Sequence, residues 1–130
     1  MTGDMEHRHF KEPDSLALVV ETNTAIFERT PHPIKWFQCP VPPSAMDKLD
    51  SYYEPLKKLL PKLKEHDTEI YLGVVREDDP EGTTARIEAA KKAFPDTDFG
   101  VATECGLGRV SPEKADSVMK ISSEVAEPVM

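Results

Sequence analysis

Three short apolar runs, Ile34–Cys39, Glu69–Val75 and Phe99–Thr103, alternate with stretches of helical periodicity, and this alternation limits the fold more than any other feature of the chain. Strands separated by helices cannot form hairpins. They lie parallel, joined by crossover connections. The run Glu69-Ile70-Tyr71-Leu72-Gly73-Val74-Val75 is nearly continuous in apolar residues, as expected for a strand covered on both faces. Ile34–Cys39 is β-rich and bounded by prolines, and Pro40-Val41-Pro42-Pro43 is expected to end it, because three of those four residues lack an N–H.

The helices follow from spacing and caps. Asp14 or Ser15 can cap a helix carrying Leu16, Val19, Val20, Asn23, Ile26 and Phe27, which Pro31 and Pro33 end. Met46–Leu63 reads as helical in two pieces, with Pro55 in the first turn of the second. A turn at Asp78–Gly82 leads to a helix capped by Thr83 or Thr84 and running through Phe94. Ser111-Pro112-Glu113 opens the last helix with a cap, a proline at the first position and an acid in the first turn, and Pro128 stops it. The expected class is α/β, with parallel strand–helix units. Three such strands leave both edges unpaired, so the pattern looks cut from a larger sheet such as a (β/α)8 barrel, which needs about 250 residues to close.

At 130 residues the chain suits one domain, with residues 1–14 a polar mobile tail and 15–130 the folded part. His7 and His9 could in principle bind metal, but a solvated tail is the plainer reading. Sixteen basic and 24 acidic residues give a net charge of −8, which argues against nucleic acid or an anionic membrane surface as partner. Lys57, Lys58, Lys62 and Lys64 read as a solvated helix face. The chain carries no apolar run of about eighteen residues and no secretory h-region. Two cysteines make no disulfide framework, so a reduced, cytoplasmic setting is the default.

Chemistry is expected at the carboxyl ends of parallel strands. Three loops fall there: Gln38–Pro43, Arg76–Gly82 and Thr103–Arg109. The third places the carboxylate of Glu104 beside the thiol of Cys105, with Gly106 and Gly108 free to take φ > 0 or approach a ligand. Arg109 and the following helix start should depress the thiol pKa if they face it. Cys105 also suits a small residue packed under a tight turn, and less readily a redox thiol. Cys39 reads as a buried structural thiol, Trp36 as core, and Tyr52 and Tyr53 as an amphipathic helix face. Gly106-Leu107-Gly108-Arg109 could also hold phosphate at the helix start.

Tyr71–Val75, Gly82-Thr83-Thr84-Ala85-Arg86-Ile87 and Phe99–Arg109, with its Glu-Cys-Gly-Leu-Gly-Arg block, resemble the end of a cobalamin-independent methionine synthase-like barrel, of the uroporphyrinogen decarboxylase and methionine synthase superfamily. The resemblance spans Leu16 to Val129, equivalent to the last three βα units, and so implies a partial barrel. It further implies zinc-dependent methyl or alkyl transfer to a thiol, acting on a small-molecule thiol or folate-like substrate. Cys105 matches the family's last zinc ligand, with Glu104 in place of the Asp of an Asp-Cys-Gly motif. The rest of the ligand set is missing. There is no His-x-Cys pair, Gln38 or Cys39 stands where a ligand Glu is expected, and Arg76 stands where the family places a histidine. Glu104, Arg109, Arg76 and Gln38 are the substrate-binding candidates. The alternative is a non-catalytic binding or assembly module of the same fold without metal, as a homo-oligomer or with a complementing chain.

Overall fold

The three apolar runs form one parallel sheet, in the order β3 (Trp36–Pro40), β4 (Glu69–Val75), β5 (Gly100–Thr103). The computed structural model describes residues 2–3 and 9–126, so His7 and Pro128 lie outside the described residues. Register runs from Trp36↔Glu69 to Pro40↔Gly73 on one side of β4 and from Tyr71↔Gly100 to Val75↔Thr103 on the other. Ahead of the sheet, β1 (Thr2–Gly3) pairs antiparallel with β2 (His9–Lys11), and α1 (Ala17–Arg29) comes next. The protein is a mixed α/β structure, and among the described residues no helix is long and apolar enough to cross a membrane.

Pro40 belongs to the ladder, one residue beyond the expected end. The Val41 N–H donates to Gly73 O at 3.2 Å, so the N–H that Pro40 lacks faces away from β4. An edge strand tolerates proline in that position. Between β3 and β4 the chain forms four short pieces where two were expected. These are a 3₁₀ turn (Pro43–Lys48), α2 (Leu49–Tyr53), a second 3₁₀ turn (Glu54–Lys58) and α3 (Leu60–Glu65), and Pro55 and Pro61 lie in the first turns of the last two and separate them from what precedes.

α3 ends in a Schellman motif. The Thr68 N–H donates to Leu63 O at 2.9 Å and the Asp67 N–H to Lys64 O at 3.4 Å, with Asp67 at φ 51°. A glycine sits there without Cβ crowding. Asp67→Gly is therefore expected to raise stability by about 0.5–1 kcal/mol, read as a higher urea midpoint at unchanged slope. A lowered midpoint would refute the assignment.

α4 (Pro80–Ala93) starts three residues before Thr83. Asp79 is the cap, its Oδ1 accepting from the Gly82 N–H at 2.9 Å, and Pro80 stands at N1. Thr83 is fully buried instead, and its Oγ1 accepts from the Arg76 N–H at 3.3 Å. α5 (Pro112–Val125) has the expected start. Ser111 accepts from the Lys114 N–H, and hydrogen bonds from the Glu113 backbone and Ser111 hold the Glu113 carboxyl below its usual range.

The helices gather on one face of the sheet. Cys39, Val41, Ile70, Leu72 and Val74 point to that face and are at most 2% exposed. They join Leu16, Val20 and Phe27, Tyr52 and Tyr53, Ile87 and Ala90, and Val118 and Ile121 in one core. Tyr52 donates its hydroxyl to Pro40 O at 2.9 Å and Tyr53 to Arg86 O at 3.1 Å. Both tyrosines lie on the inner side of the helix face expected of them and are fully buried core residues. Among the described residues no helix lies on the opposite face of the sheet. That face carries Trp36, which is 61% exposed, with Gln38, Glu69, Tyr71, Gly100 and Ala102. Trp36 packs edge-on against Tyr71 at 6.1 Å, outside the core expected for it, because it begins an edge strand on the face no helix covers. The expectation of a central strand covered on both sides fails for the same reason: Tyr71 is only partly buried.

Candidate functional site

The carboxyl rim of the sheet is built around the hollow at Gly73. A Cβ there would lie 2.9 Å from Glu104 Cα and from Thr103 O, and 3.1 Å from Pro40 Cα, so the end of β5 folds down onto β4 where no side chain stands. β4 carries one extra residue at this point, between the pairs Gly73↔Ala102 and Val75↔Thr103. Such a bulge bends the strand and re-aims the residues beyond it. Gln38 reaches across Gly73 from β3, its Nε2 donating to Thr103 O, and the Thr103 hydroxyl donates to Cys105 O. The amide donor of Gln38 is thus engaged in holding the loop.

Above this floor lie the charged groups. Arg76, the first residue after β4, places its guanidinium 3.4 Å from Glu104 Oε1, and the Glu104 side chain is only 16% exposed. Glu77 pairs with Lys114 at 3.4 Å. Asp78, at φ 56°, is held by Ser117: its N–H donates to Ser117 Oγ at 2.9 Å, and that hydroxyl donates to Asp78 Oδ1 at 3.0 Å. These contacts dock α5 onto the β4–α4 loop. The structure therefore gathers Gln38, Arg76, Glu104 and Cys105 on one rim, with Arg109 near enough to act electrostatically on the thiol.

Two expectations for the loop are corrected. Among the described residues no glycine takes positive φ, and a Cβ on Gly106 or Gly108 would meet nothing within 4 Å. Neither glycine is required by the fold of the loop itself. The Cys105 thiol is raised above its ordinary range, and not depressed. Partial burial is the main cause, followed by the negative charge of Glu104; Arg109 offsets part of this and Glu77 adds to it. A raised pKa means less thiolate at neutral pH, and the thiolate is the reactive form. Cys39, on the helix-covered face, is pushed up to about 12 by burial.

Labelling of the native protein with a thiol reagent should accordingly modify Cys105 alone, with a rate that climbs steeply only at alkaline pH, above the ordinary thiol value of 9.0. Glu104→Gln should shift that rise to lower pH and Arg109→Gln to higher pH. A Cys105 labelled fully at neutral pH would contradict this electrostatic reading. Cys39 should react only after unfolding.

A tetrahedral zinc centre needs three or four protein ligands. Among the described residues no three of His, Cys, Asp and Glu converge as a metal-holding group. Cys39 cannot stand in, because its thiol is sealed on the face opposite the rim hollow. His66 stacks on Phe27 at 4.9 Å, at the far end of the sheet. The described residues do not fit zinc unaided. Sequence reasoning missed one residue of consequence, Arg86. It is 2% exposed, with NH1 donating to Val74 O at 3.3 Å and lying 3.5 Å from Asp79 Oδ2. The available signal was its place on the apolar stripe Thr83, Arg86, Ile87, Ala90 of α4.

Neither a known family nor a characterised protein or solved structure matches this chain.

Proposed function

We propose that this chain is the strand–helix segment of a methionine synthase-like (β/α)8 barrel that carries the last rim loop of an active site, with Cys105 as its one zinc-ligating group. Methyl or alkyl transfer to a small-molecule thiol belongs, on this reading, to a barrel closed by strands and ligands beyond those described. The observation that carries it is the one-sided sheet. Strands in sequential order with their helices on a single face are what a segment of a barrel wall requires, whereas a doubly wound sheet has helices on both faces. Parallel sheets are rarely left with one face bare, so the face of Trp36, Gln38 and Tyr71 and the edges of β3 and β5, which are unpaired among the described residues, call for a covering. Zinc supplies such sites with a lowered thiol pKa. This chain's own part is to present Cys105 at the rim, with Gln38 and the Gly73 hollow fixing the loop and Arg76 holding Glu104 beside it.

A second reading, an assembly module without metal, is favoured by the rim's internal pairing, since Arg76 and Glu104 already engage each other and the thiol is kept protonated. Elemental zinc and molecular mass measured together on the purified protein and on Cys105→Ser decide between them. The first reading expects zinc in an assembled species and its loss in the variant. An assembly free of zinc leaves the second reading. Zinc retained by Cys105→Ser overturns the first.

A further inference from the structure

α1 is apolar on two opposite sides. Its inner side, Val20 and Phe27, joins the core, while Leu18 and Ile26 on the outer side are 67% and 41% exposed. Ile26, expected on the inner stripe, lies outside it. A surface helix needs only one apolar stripe, and a second one is normally covered. Leu18, Thr22, Ala25 and Arg29 recur at spacings of four, three and four along this outer side, with Glu21 and Ile26 flanking them, and together they line a shallow groove.

We infer that this face of α1 is the interface of a two-fold homodimer, its occupant the antiparallel α1 of a second copy. The charges select the partner. Glu21 and Arg29 lie four residues on either side of Ala25, both exposed, and among the described residues neither makes an ion pair. A two-fold axis through Ala25 sets Glu21 of each copy against Arg29 of the other, giving two symmetric ion pairs from one surface. Ala25 meets its own copy at the centre, where a small residue lets helices approach to the short end of the usual 8–10 Å range. The same register carries Leu18 beyond the partner helix, onto the exposed turn of Pro31, His32 and Pro33.

Sedimentation of the full chain tests this, at concentrations up to about 1 mM, where even a weak dimer is populated. The wild type is expected to dimerise. Ala25→Arg should leave it monomeric, with a melting temperature equal to that of the wild type at dilutions where the wild type is itself monomeric. Glu21→Arg and Arg29→Glu should each raise the dimer Kd about tenfold or more, and the two together should restore it to within about threefold, because the swapped charges again face each other. A wild type monomeric throughout the range overturns the proposal. So does a dimer indifferent to Ala25→Arg, which would assemble through the open sheet face or its edges. Failure of the double reversal to rescue overturns the antiparallel register.

Discussion

Arg86→Ala is expected to lower the unfolding free energy by about 3–5 kcal/mol, a large share of the roughly 5–15 kcal/mol that holds a typical domain together. The guanidinium is 2% exposed and linked on one side to Val74 O and on the other to the Asp79 carboxylate. Asp79 in turn caps α4 through the Gly82 N–H. Truncation removes the long aliphatic stem from the core, leaves the carbonyl without this donor and takes away the cation from Asp79. The Arg86 Nε has no partner, so the group is not fully compensated as it stands. Arg86→Met separates these contributions. It keeps most of the volume while losing the charge and the hydrogen bond, and should cost about 1–3 kcal/mol. Urea unfolding with an unchanged slope is the measurement. A cost below about 1 kcal/mol for Arg86→Ala would show that the residue is not a keystone of the β4–α4 junction.

Gly73→Ala should cost about 3 kcal/mol, against a change within about 0.5 kcal/mol for Gly106→Ala or Gly108→Ala. The added Cβ at position 73 would press on the backbone of Thr103 and Glu104, and backbone cannot turn aside as a side chain can. To make room, the end of β5 must lift. That would break the Gln38 contact to Thr103 and shift Glu104 away from Arg76. Open space surrounds Gly106 and Gly108. Besides stability, Gly73→Ala should therefore alter the pH at which Cys105 is labelled, while the two loop variants leave it unchanged. Equal effects at all three glycines would remove Gly73 from its place under the rim.

This ranking of glycines is the reverse of the one that sequence suggests. Gly106 and Gly108 stand in a loop beside a thiol and are the glycines it singles out, whereas Gly73 sits inside a strand run with nothing local to mark it. Gly73 is necessary because of a neighbour some thirty residues away, and no local pattern reports such a contact. Cys105 is a second such case. Its local companions, Arg109 and a helix start, argue for a lowered thiol pKa, but burial and Glu104 outweigh them. Trp36 and Tyr52 make a third. A tryptophan in an apolar run lies on the surface and a tyrosine in the polar stretch Asp50–Glu54 lies in the core, because burial depends on which side of the sheet the helices occupy.

The order of elements, the parallel sheet, the Ser111 start of α5 and the location of Gln38, Arg76, Glu104 and Cys105 at strand ends were all legible from the amino acids, since apolar period, proline and capping chemistry act over a few residues. Only the tertiary structure decided that all the helices share one face, that Gln38 and Arg76 are engaged with the loop of β5, that Arg86 is interior and that α1 keeps an apolar side in the open. Those outcomes depend on contacts between residues far apart in the chain. Burial, electrostatics and close backbone approach are properties of the assembled packing and not of any short segment within it.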